Sequence, residues 1–182
     1  MINIYKLKLT ILQQEILRLL FIKAGTSLNA HGIARTLEVS QPAVSKALPM
    51  LEKEGLIKVS KDKISKRLSI ELNRDNNQVI WLKRADNLKQ IYQSGLAQLL
   101  YDNFPGATVI FFGSYAFGED TLKSDIDLAV VGTKERSIDL AKFEKILERE
   151  IIINYYKSFN NLDKNLLSNI ANGIVLKGAI DL

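Results

Sequence analysis

Asp125 and Asp127 sit two residues apart at the start of an apolar run that ends at Val131, and they follow a Gly113-Ser114 pair by eleven residues. A strand turns successive side chains to opposite faces, so the two aspartates share one face while Ile126, Leu128 and Val130 share the other. Like charges repel there, and on an otherwise apolar strand the arrangement is costly unless something positive sits between them. A hard divalent cation with oxygen ligands meets that need, and Mg²⁺ suits it best because it takes one or two carboxylates together with substrate phosphates. Residues 107–112 and 125–131 both read as buried strands, β-branched or aromatic with glycine close by. Gly113 lets the backbone turn sharply between them, and Ser114 is expected at the start of a short helix, where free N–H groups attract phosphate. Singly, each piece has an ordinary reading: Ser124-Asp125 capping a turn, Asp127 salt-bridged, Gly-Ser in a loop. Their order and spacing together point to nucleotide and metal.

The first part of the chain has a different character. Residues 1–75 carry 13 Lys or Arg against 7 acids, and residues 76–182 carry 12 against 13, so the net charge of +5 is concentrated in the first part. Such a split points to a polyanionic partner for the basic part, with double-stranded DNA the leading candidate. Cysteine is absent, which excludes disulfides, thiolate catalysis and cysteine-type zinc sites. The one histidine, His31, reads as a surface residue, so acid–base work falls to carboxylates. No apolar run approaches the roughly 18 residues of a bilayer span, and the first apolar stretch is interrupted by Glu15 and Arg18. No membrane role and a cytoplasmic location are expected.

Ile11, Leu12, Ile16, Leu19, Leu20 and Phe21 recur near the helical period, predicting a first helix over 10–23 that Gly25 ends. A second is predicted from the N-cap Asn29 to Glu38, and a third from the cap Ser40, with Val44, Leu48 and Leu51 inward, as far as Gly55. Pro49 is expected to kink it. Residues 56–60 and 67–72 alternate as strands around a polar turn, a hairpin wing. The string from Ile33 to Leu48, continuing to Ile57, resembles the winged helix-turn-helix of MarR-like regulators over residues 8–73. That resemblance implies that the exposed face of the third helix, with Gln41, Ser45 and Lys46, meets base edges and phosphates. Lys58, Lys61, Lys63, Lys66 and Arg67 of the wing would then neutralise the DNA backbone.

The polar stretch 73–78 marks a boundary, giving domains 1–75 and 76–182. A helix follows, with Leu88, Ile91, Tyr92, Gly95, Leu96, Leu99 and Leu100 as its stripe and 103–106 as its end; it covers the sheet or pairs two subunits. The pattern Gly-Ser-x-x-x-Gly, five residues, Ser-Asp-Ile-Asp-Leu resembles the signature of the DNA polymerase beta-like nucleotidyltransferases in minimal form. The resemblance spans about residues 88–182, including 173–178 as a closing segment. It implies that Gly113 and Ser114 hold a nucleoside triphosphate, that Asp125 and Asp127 bind Mg²⁺, with two ions possible, and that a third carboxylate on a later strand completes the site. Glu150, at the beginning of the strand that continues through the run 151–153, is the candidate, its ordinary reading being a solvated charge at a helix end. The sequence departs from the pattern at Phe117, where an arginine is often found, and in having no acid within that later run.

The expected fold is α+β: three helices and a β-hairpin wing, then an α/β nucleotidyltransferase domain with a mixed sheet flanked by helices. Two functions stay open. One is transfer of a nucleoside monophosphate from a triphosphate to an acceptor, with acceptor choice depending on a partner or a second subunit. The other is a transcriptional regulator or antitoxin, dimeric or bound to a toxin partner, whose second half binds nucleotide or protein without turnover.

Overall fold

The computed structural model describes residues 8–61 and 68–181. The chain divides after Val79 into two compact units.

In the first unit, Thr10 opens α1 (Ile11–Ile22) through a capping box with Gln13. The two side chains satisfy backbone donors that the first turn leaves orphaned. Asn29 caps α2 (Ala30–Thr36) and Ser40 caps α3 (Gln41–Lys53), each accepting from a backbone N–H three residues on. The predicted caps are therefore the observed ones, while α2 stops two residues short of Glu38. The helix α3 runs continuously through Pro49. Its missing N–H is tolerated on an exposed position while Val44, Leu48 and Leu51 stay buried. The wing strands β1 (Ile57–Lys61) and β2 (Leu68–Leu72) pair antiparallel. Leu28 adds a short third edge through mutual backbone hydrogen bonds with Ile70. Ile16, Leu20, Ile33, Val44, Leu51, Leu56 and Ile70 are fully buried, each contributing about 1.5–3 kcal/mol of hydrophobic burial.

The single helix expected before the motif is two helices, α4 (Asn77–Gln93) and α5 (Leu96–Asn103). Gly95 breaks them apart at φ +84, a left-handed conformation that a periodic apolar pattern does not reveal. As a result Ile91, Leu96 and Leu100 pack inward while Tyr92 is exposed. After them come β3 (Thr108–Phe112), α6 (Gly113–Phe117), β4 (Ile126–Val131), α7 (Ala141–Leu147), β5 (Ile151–Tyr156), α8 (Lys164–Ala171) and β6 (Ile174–Lys177). The four strands form one mixed sheet in the order β5-β4-β3-β6, with β4 and β5 parallel and the other pairs antiparallel.

One sheet face, with Val109, Phe111, Ile126, Leu128 and Val130, packs with Ile91, Leu96, Leu100, Phe143 and Leu147 from α4, α5 and α7. The other carries Ile110, Phe112, Ala129 and Val131 against Phe159 and Ile170. Asp127 lies on this second face, by the alternation that sends Leu128 to the first. Among the described residues no helix is long and apolar enough to cross a membrane.

Candidate functional site

Antiparallel pairing sets Asp127 of β4 opposite Phe112, the last residue of β3, so the strand that leaves the turn returns beside it. Gly113 follows at φ +75 and opens α6. A β-carbon built there would lie 3.1 Å from Cγ and 3.2 Å from Cβ of Asp127. Glycine is therefore required twice, for its dihedral angle and for the space that the carboxylate takes. Asp125 is exposed and Asp127 is half-buried. Burial first, and then the neighbouring charge of Asp125, push the Asp127 carboxyl above its ordinary range. Ser114 is half-buried one residue into α6, and among the described residues its hydroxyl is bonded by no protein group.

The β5 side of the site is different. Ile152 stands beside Asp127 and Asn154 beside Ala129 in the parallel register. Glu150 precedes the strand, is exposed, and accepts the Ile126 N–H on its carbonyl at 2.8 Å. One step back in register sets it alongside Asp125. Among the described residues, however, no three His, Cys, Asp or Glu side chains gather closely enough to hold a metal between them. The structure brings Gly113, Asp125 and Asp127 together with Ser114 next in the chain, and leaves Glu150 outside that group.

Sequence reasoning missed what holds the turn from behind. Asp120, buried in the loop after α6, pairs with Lys83 of α4 and with Arg149 just before β5, the latter at 3.2 Å. Asn87 donates to Asp120 at 2.8 Å and to the Tyr115 carbonyl at 2.9 Å. The Tyr115 ring lies near both cations, its centroid 5.8 Å from Lys83 Nζ and 5.9 Å from the Arg149 guanidinium. These residues are far apart in sequence, and Lys83 and Asn87 read as ordinary polar positions of a helix. The spacing of four between them was the one available signal.

In the first unit, Gln41, Pro42, Ser45, Lys46 and Pro49 are all exposed on one side of α3. The buried Gln13 amide, donating to the Ala47 carbonyl at 3.2 Å, ties α1 to that helix. Lys58 and Lys61 are exposed on β1, and Lys58 forms an exposed ion pair with Asp75. Lys63, Lys66 and Arg67 lie outside the described residues.

Comparison with known families matches residues 9–69 to the MarR family and residues 94–173 to the nucleotidyltransferase domain. The chain is a MarR-type DNA-binding domain joined to a nucleotidyltransferase domain. Solved structures similar to it include Lactococcus lactis ZitR, at 24% identity over 58% of this chain and 68% of that one, with a TM-score of 0.42. MepR, a transcription regulator of the Staphylococcus aureus multidrug efflux pump MepA, is 24% identical over 53% of this chain and 70% of its own, with a TM-score of 0.40. The adhesin competence repressor AdcR of Streptococcus pyogenes is 22% identical over 57% and 72%, with a TM-score of 0.42. No curated protein matches the sequence.

The nucleotidyltransferase domain contains the whole strand-turn-strand segment within its matched residues, and the MarR-type domain contains α1 to α3 and the first residues of β2. The donor set of the nucleotidyltransferase domain suits Mg²⁺. Both groups offered are hard carboxylate oxygens, burial and then the neighbouring charge push that of Asp127 toward its protonated form, and the backbone beside them is cleared of a side chain.

Proposed function

We propose that the second domain is a Mg²⁺-dependent nucleotidyltransferase, in which an acceptor hydroxyl or phosphate oxygen attacks the α-phosphorus of a nucleoside triphosphate, takes the nucleoside monophosphate and displaces pyrophosphate, and that the first domain binds duplex DNA. The observation that carries this reading is the seat of Asp127 against Gly113, which joins a carboxylate pair to an open turn in one segment. Asp125 and Asp127 would hold the metal. Mg²⁺ would supply charge neutralisation for the phosphate undergoing in-line displacement. Gly113 leaves the backbone open to the nucleotide, and the Ser114 hydroxyl donates to an outer phosphate. On α3, Gln41 and Ser45 reach base edges and Lys46 a phosphate or guanine, while Lys58, Lys61, Lys63, Lys66 and Arg67 meet the DNA backbone.

A second reading is favoured by one observation. Ile152 stands beside Asp127, and Glu150 does not join the aspartates. On that reading the domain binds nucleotide as an effector, or a protein partner, and regulates DNA binding without turnover. Incubation with α-labelled nucleoside triphosphates, Mg²⁺ and DNA, RNA or protein acceptors separates the two. Transfer that disappears in Asp125→Ala/Asp127→Ala supports the enzyme, whereas binding of nucleotide with no transfer to any acceptor supports the regulator.

A further inference from the structure

The loop that closes α6 is pressed against α4. At Gly118 (φ +77) a β-carbon would lie 2.7 Å from the Arg84 backbone nitrogen and 3.1 Å from its Cα. The contact anchors Arg84 one residue away from Phe117, and its guanidinium lies over the Phe117 ring, 5.7 Å from the centroid. Phe117 is three residues from Ser114 on the same helix, and residues at that spacing share a face. Both are half-buried, whereas Tyr115 and Ala116 between them are buried. Arg84 itself is exposed. Among the described residues no carboxylate pairs with it, whereas the nearby cations Lys83 and Arg149 are both engaged by Asp120. A guanidinium stacked on a ring is oriented while its N–H edges stay available, and a planar fork of donors matches phosphate oxygens.

We propose that Arg84 is a phosphate-binding residue of the nucleotide site, reaching over Phe117 from α4 to take the outer phosphates of a nucleoside triphosphate. This rests on the nucleotide reading above. It also gives a role to the departure at position 117: the chain has an aromatic platform there and brings the guanidinium from another helix. Phe117 thus acts as a positioning residue, since it touches Arg84 rather than the ligand. The ligand class follows from charge. A triphosphate carries more negative charge than a metal at Asp125 and Asp127 would neutralise, and an exposed arginine with no carboxylate partner among the described residues is a ready counter-charge.

The test is calorimetric titration of the full chain with each of the four ribonucleoside triphosphates, and with the matching monophosphates, in Mg²⁺. Arg84→Gln is expected to weaken triphosphate binding about tenfold or more while leaving monophosphate binding and thermal unfolding unchanged. Arg84→Lys should recover part of the loss, and Phe117→Leu, which removes the platform, should show a smaller loss of the same kind. Equal triphosphate affinity in Arg84→Gln and wild type overturns the assignment of Arg84 and leaves the nucleotide reading intact. An equal loss for monophosphates also overturns it, because the effect is then not on the outer phosphates. A wild-type protein that binds no nucleotide at all overturns both.

Discussion

The Asp127 carboxylate fills the space that a side chain at Gly113 would need. The turn and the acid are therefore one unit: Gly113 cannot change without moving Asp127, and Asp127 reaches its position because β4 returns antiparallel beside Phe112. Whatever binds at this turn meets backbone and carboxylate together.

Gly113→Ala should show this coupling directly. The left-handed conformation costs about 1–2 kcal/mol for a residue with a β-carbon, and displacement of Asp127 adds to it. Chemical denaturation is expected to report a loss of at least that size, and Mg²⁺ should no longer raise the melting temperature in the presence of nucleotide. A variant with wild-type stability and wild-type Mg²⁺ response would contradict the contact.

The metal-free site carries a pH-dependent cost. Burial and the Asp125 charge raise the Asp127 carboxyl above its ordinary value of 3.8, so the folded state binds its proton more tightly than the unfolded state does. Below 3.8 both states are protonated and Asp127 contributes nothing. As pH rises through the window up to the raised value, the folded state loses stability relative to the unfolded one. Asp127→Asn removes this cost. Without metal, the variant should melt higher than wild type near neutral pH and converge with it at low pH, while losing the Mg²⁺-dependent stabilisation. Thermal unfolding across pH with and without Mg²⁺ reads both effects.

Asp120 is the residue on which the turn's support depends. Replacing it with Asn leaves the buried Lys83 and Arg149 charges without their shared carboxylate. Breaking a buried pair in this way typically costs about 3–5 kcal/mol. Urea unfolding should show a loss of that order in the second unit, and a change below about 1 kcal/mol would mean that water or another group replaces the carboxylate at little cost.

Much of this arrangement was legible in the residues themselves. Asn29 and Ser40 cap helices because short polar side chains next to apolar periodicity have one local use, and Gly113 announced the turn and Asp127 its strand, although β4 begins at Ile126 and leaves Asp125 just before it. The Asp120 network was not legible, because it joins positions 83, 120 and 149 through tertiary packing that no local pattern encodes. The break at Gly95 was hidden for a related reason: a glycine inside an apolar stripe is compatible with one helix or two until its φ is known. Glu150 was selected as the nearest acid to an apolar run, and parallel register puts Ile152, not an acid, beside Asp127.

The proposed DNA-facing surface gives two expectations of opposite sign. Lys46→Ala on α3 should weaken duplex binding and reduce the slope of log affinity against log salt by about 1. Asp75→Asn releases Lys58 from its exposed ion pair, so affinity should rise modestly at low salt, with the gain vanishing as salt increases. Fluorescence anisotropy over a salt series measures both. A Lys46→Ala protein with an unchanged slope would remove Lys46 from the interface.

The most direct measurement of the central claim is equilibrium binding of a nucleoside triphosphate to the full chain with Mg²⁺ and with EDTA, in wild type and in Asp125→Ala/Asp127→Ala. A carboxylate pair that holds a metal against a nucleotide predicts binding that needs Mg²⁺ and is lost in the double variant, with the fold retained. Binding that survives both the chelator and the loss of the two aspartates would contradict it.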